Sequence, residues 1–83
     1  MELIVMPPPD PVYHGTRTEA QADAMKTTPP NDGDTVVVFR PGYHRYESWV
    51  WCDDSVIVGG GWVFTNHGTE AECVKCAQDV VAV

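Results

Sequence analysis

Residues 46–63 hold three Trp positions spaced for a single sheet face, and this stretch constrains the fold more than any other. With Asp53-Asp54 as a two-residue turn, it reads as a β-hairpin, because Asp tolerates turn dihedrals and bonds its own backbone. Trp51 then faces Val56, Trp49 faces Val58, Glu47 faces Gly60 and Arg45 faces Trp62. Side chains alternate along a strand, so Trp49, Trp51, Val56, Val58, Trp62 and Phe64 share one face. That face is expected to form the core wall of a small domain, with the helices packed on it, or else a partner-binding surface.

A chain of 83 residues forms one small domain, residues 1–83. At this size only about 60–65% of the extended surface is buried, so each large side chain matters. The three Trp, three Tyr and two Phe supply the core, each burying on the order of 150–250 Å². No apolar run is long enough to span a membrane, and the longest, Val36-Val37-Val38-Phe39, is strand-sized. Met1-Glu2 lacks the basic start of a signal peptide. Three cysteines, an odd number, do not suit a secreted disulfide framework, so a reducing cytoplasm is expected.

The net charge is −7, and Arg17, Lys26, Arg40, Arg45 and Lys75 are scattered. Nucleic acids are bound through clustered cations that displace counterions, so direct DNA or RNA binding is not expected. An acidic balance keeps the chain soluble and favours encounter with a basic protein surface.

The apolar run Glu2-Leu3-Ile4-Val5-Met6 reads as an N-terminal strand. Pro7-Pro8-Pro9-Asp10-Pro11 then forms a stiff, extended linker over residues 7–11. Thr16-Arg17-Thr18-Glu19 reads as a capping box opening a helix that runs to about Lys26. Residues 27–34, rich in Pro, Asn, Asp and Gly, break it. Thr35 to Arg40 is a β-branched strand, Pro41-Gly42 a turn, and the aromatic hairpin follows. Gly59-Gly60-Gly61 interrupts the second hairpin strand, with Gly60 making room for an indole. Thr69-Glu70-Ala71-Glu72 caps a last helix. Its apolar stripes are Ala71, Val74, Ala77 and Val81, and beside them Cys73, Cys76 and Val80. The order is β-α-β-β-β-α. The expected fold is α+β: a three-stranded antiparallel meander, with residues 2–6 available as a fourth strand, packed against two short helices.

Three constellations could carry chemistry, the last of which, His44 with Tyr43, Arg45, Tyr46 and Glu47 beside a turn, has no nucleophile signature and suits an interface patch better. Cys52, His67, Cys73 and Cys76 have the donor types of a tetrahedral zinc site. However, Cys73-Val74-Lys75-Cys76 falls inside a predicted helix, and Cys52 falls on the sheet face opposite the tryptophans. A fold without metal or other cofactor is therefore expected, with a zinc-stabilised domain as the alternative. The second constellation is Val12-Tyr13-His14-Gly15-Thr16 before a helix, with Trp62-Val63-Phe64-Thr65 before another. These segments resemble motifs of the ADP-ribosyltransferases. The resemblance implies that His14 and Thr16 contact the nicotinamide-side ribose of NAD. The triplet His14-Gly15-Thr16 recurs as His67-Gly68-Thr69, and Gly with a capping Thr suits the start of a helix in both places.

The expectation that best covers the whole chain is a non-enzymatic, acidic interaction module that binds and modulates a protein partner, in the manner of small accessory or inhibitor proteins of phages and mobile elements. Tyr, Arg and Trp are enriched where binding energy concentrates, and loops carry function more often than core strands. The candidate contacts are Asp32 and Asp34, the turn Tyr43-His44-Arg45-Tyr46, and Asp53 and Asp54, all expected in exposed loops.

Overall fold

The computed structural model describes residues 9–82; the strand expected over residues 2–6 lies outside them. The element order is β1 (Tyr13–Arg17), α1 (Glu19–Ala24), β2 (Thr35–Arg40), β3 (Arg45–Cys52), β4 (Gly61–Gly68) and α2 (Glu70–Val81), with 3₁₀ turns at Met25–Thr27 and Pro41–Tyr43. The class is α+β as expected. The four strands form one sheet in the order β1-β2-β3-β4. β2, β3 and β4 make the antiparallel meander, whereas β1 joins β2 in parallel, so the sheet is mixed.

The parallel strand arises where the sequence suggested the beginning of a helix. Asp34 is buried, and its carboxylate accepts from the Val12 N–H at 2.8 Å and lies 2.7 Å from His14 Nε2. Together with the Thr35 N–H bond to the Val12 carbonyl, this draws residues 12–17 alongside β2. Helix α1 therefore begins two residues later than expected. Thr18, not Thr16, is the cap: its hydroxyl accepts from the Gln21 N–H, and Gln21, not Glu19, closes the box. Gly15, at φ +82°, takes up an irregularity in the β1–β2 register instead of bending into a helix. At the second triplet the expected role holds, since Thr69 caps α2 by accepting from the Glu72 N–H.

The helices pack on opposite sheet faces, not both on the tryptophan face. Val36, Val37 and Val38 of β2 are all buried, as in a central strand covered on both sides, and a continuous apolar run is what such a strand requires. Val36 and Val38 pack with Ala22 and Met25 on the α1 side, joined by Trp49 and Trp62. Val37 packs with Cys73, Ala77, Tyr13, Tyr46 and Val74 on the α2 side. The Thr35 hydroxyl donates to the Ala77 carbonyl at 3.1 Å, fixing α2 against the sheet.

The hairpin differs in register. Trp51 pairs with Trp62 and Trp49 with Phe64, with Thr65 as the extra residue of a bulge, and residues 53–60 form a long connection. Asp53 and Asp54 are not a two-residue turn, although Asp53 does bond locally, accepting from the Ser55 N–H at 3.0 Å. The shift from the simple register is six residues. An even shift preserves which side chains share a face. Trp49, Trp51, Trp62 and Phe64 therefore remain together, in edge-to-face pairs at 5.1 Å (Trp51–Trp62) and 5.5 Å (Trp49–Phe64). Val56 and Val58 leave the sheet altogether. Gly60, at φ +71°, lies so close to Trp51 that an added Cβ would sit 2.8 Å from Cζ2. The glycine does accommodate an indole.

Candidate functional site

The face shared by β3 and β4 on the α1 side is only partly covered. α1 is a six-residue helix, and it shields Val36 and Val38 but does not extend across Phe64. Phe64 remains 43% exposed and Tyr43 72% exposed. Between α1 and the hairpin lies a groove of about 410 Å³, lined by Lys26, Arg40, Trp49, Trp51, Trp62 and Gly59 to Gly61, among others. The indole nitrogens of Trp49 and Trp62 are both sealed from solvent without a hydrogen-bond partner among the described residues.

Cations border this face. The Arg40 guanidinium stands 5.5 Å from the Trp49 ring centroid, and that of Arg45 stands 5.1 Å from Tyr43. Both are held by the buried Glu47, which accepts from Arg40 Nε at 2.7 Å and from Arg45 Nη2 at 2.7 Å. Burial pushes the Glu47 carboxyl pKa up, but the two guanidiniums outweigh it and the net shift is down. Arg40 also approaches Glu19 of α1 at 3.7 Å. The sequence reading missed this triad. Its signal was the charge alternation Arg45-Glu47 on one strand, with Arg40 directly opposite Arg45 on the next.

The residues nominated from the sequence separate into two ends of the sheet. Asp32 and Asp53 meet at one end, where the Asp53 N–H donates to Asp32 Oδ1 at 3.3 Å, with Asp54 exposed beside them. Tyr43 and His44 lie at the other end, roughly 23 Å away along β3 at the usual rise per residue. Three nominations need correction. Asp34 is not an exposed loop residue; it is buried because its two oxygens satisfy Val12, Asn31 and His14. Arg45 and Tyr46 are half-buried strand residues, because the 3₁₀ turn ends at Tyr43 and His44, at φ +50°, leads directly into β3. Tyr46 packs on Phe39, their ring centroids 4.9 Å apart.

The zinc donors do not converge. Cys73 is buried on the α2 side, its sulfur 4.0 Å from the Asn66 carbonyl, and Cys76 lies 3.9 Å from the Thr65 hydroxyl. His67 stacks on Phe64 of its own strand, β4, and Cys52 sits at the far end of β3. Among the described residues no group of three or more His, Cys, Asp or Glu is arranged to hold a metal ion. Burial first, then the neighbouring Cys76, Glu72 and Glu47, pushes the Cys73 thiol pKa up. His14 and Thr16 stand on β1 and Trp62 to Thr65 on β4, the two outermost strands. Three inter-strand spacings, about 14 Å, separate them, so the segments resembling ADP-ribosyltransferase motifs do not line one pocket.

Among the described residues, no helix is long and apolar enough to cross a membrane. Comparison with protein-family models, curated proteins and solved structures finds no match to this chain.

Proposed function

We propose that this chain is a protein-interaction module that acts by binding and modulating a protein partner, not by turnover. The observation that carries the reading is the incomplete cover of the sheet by α1. Trp49, Trp62, Phe64 and Tyr43 are left to line an open aromatic face bordered by Arg40 and Arg45. Trp, Tyr and Arg in a partly desolvated setting are the composition of binding hot spots. The groups most suited to chemistry have structural roles: His14 is paired with Asp34, Glu47 with two arginines, and Cys73 is buried. The net charge of −7 supports steering toward a partner with a basic surface. A small accessory or inhibitor protein fits this description.

The test is affinity capture from the native host with the purified chain, followed by titration of the recovered protein. Tyr43→Ala and Phe64→Ala, both at exposed positions, should leave the melting transition in place and weaken binding at least tenfold. Association of wild type should slow steeply with added salt, since the screening length is about 10 Å at 0.1 M. Unchanged affinity in both variants removes the aromatic face from the reading. Substrate turnover by the pure chain removes the module reading itself.

A further inference from the structure

The connection between β3 and β4 presents three consecutive apolar side chains to solvent. Val56 is 66% exposed, Ile57 is 37% and Val58 is 99%. This apolar tip is held in shape by its own backbone. The Val56 and Ile57 N–H groups donate to the Asp53 carbonyl at 3.0 Å, the Gly60 N–H donates to the Ile57 carbonyl at 2.8 Å, and the Ser55 hydroxyl bonds Asp53 Oδ1. A loop ordered in this way holds its side chains before any partner arrives, which lowers the entropic cost of docking.

The surroundings of the tip are acidic. Asp53 and Asp54 begin the loop, Asp32 is bonded to Asp53, and Asp10 borders the same groove of Pro9, Pro11 and Pro30. The segments that make this end, residues 9–12, 29–34 and 53–60, contain no Lys or Arg. We infer that residues 56–58 are an apolar plug that inserts into an apolar pocket rimmed by Lys and Arg on a protein partner, with Asp32, Asp53 and Asp54 facing that rim. Charge selects this occupant over the others. An anionic membrane surface attracts apolar loops flanked by cations, and here the flanks are carboxylates. A two-fold pairing with a second copy of the chain would set the same carboxylates against one another.

This inference rests on the protein-interaction reading and adds a second contact, next to the groove through Gly59 and Gly60. It is tested in the native host with a photo-crosslinking amino acid placed in the full chain at Val58 or, in a separate variant, at Phe64. The expected product at Val58 is a partner peptide whose apolar residues are flanked by Lys or Arg. The corresponding synthetic peptide should bind the purified chain, about tenfold more weakly to Val56→Ser/Val58→Ser and to Asp53→Asn/Asp54→Asn, with melting temperatures unchanged. Crosslinking to lipid, binding to phosphatidylserine vesicles, or crosslinking to a second copy would overturn the plug. Crosslinks at Phe64 alone would overturn it while leaving the interaction reading standing. No protein crosslink at either position would overturn both.

Discussion

Gly59 and Gly60 are adjacent, both lie at positive φ (+84° and +71°), and they differ in what a methyl group would meet. At Gly59 an added Cβ finds nothing within 4 Å; at Gly60 it meets Trp51 Cζ2 at 2.8 Å and the Cys52 carbonyl oxygen at 3.4 Å. Gly59→Ala therefore isolates the backbone cost. A left-handed conformation costs an L-residue about 1–2 kcal/mol, and the reduced freedom of the unfolded chain returns about 0.4–1 kcal/mol. The net is about 0.5–1 kcal/mol. Gly60→Ala carries the same cost plus overpacking against an indole that is only 3% exposed and has little room to yield, about 1–3 kcal/mol more. The total is about 1.5–4 kcal/mol, which for a chain of this size lowers Tm by roughly 6–30 °C. Urea unfolding followed by tryptophan fluorescence measures both variants at constant m value. In a Trp51→Phe background, which removes the ring atom in contact, the excess cost of Gly60→Ala should fall by more than half. Equal costs for the two alanines, or an excess untouched by Trp51→Phe, would refute the argument that this glycine exists to let the backbone pass the indole.

Trp51→Ala should cost about 3–5 kcal/mol and unfold most of the population, whereas Phe64→Ala on the same face should cost under about 1 kcal/mol; thermal melts of the two compare a core indole with an exposed ring. Glu47 has a depressed carboxyl pKa in the fold, so the stability it contributes is present above the ordinary value of 4.5 and is lost as the pH falls through its folded value. Acid titration of Glu47→Gln should accordingly show a shallower loss of stability below that pH than wild type; superimposable acid limbs would contradict the triad. Circular dichroism should be the same with and without a strong chelator. One tightly bound zinc whose removal unfolds the chain would place the cysteines in a role that their positions do not suggest.

Much of the fold was legible because it follows from local chemistry. The unbroken Val36-Val37-Val38 run marks a strand, Thr69 marks the start of α2, and the two-residue period assigns Trp49, Trp51, Trp62 and Phe64 to one face whatever the even register shift. The candidate site was legible in composition but not in placement. Tyr43 is exposed as expected, while Asp34, nominated as a loop contact, is an internal anchor. No local pattern distinguishes an exposed Asp in an Asp-Gly-Asp turn from one whose carboxylate reaches a backbone N–H twenty-two residues away.

By itself, the sequence determined the element types and order from residue 35 onward, the shared aromatic face and the acidic charge, all of which depend on residues near one another in the chain. Tertiary structure decided the rest. It turned residues 14–17 from a helix start into part of a parallel strand, because the buried Asp34 had to find donors. It put the helices on opposite faces, because a central strand apolar on both sides must be covered on both. It lengthened the hairpin loop until Trp51 met Trp62, which left Val56 to Val58 in solvent. Each of these outcomes depends on a long-range contact whose energy exceeds a local preference of a kilocalorie or less, and such contacts are absent from any window of the sequence read alone.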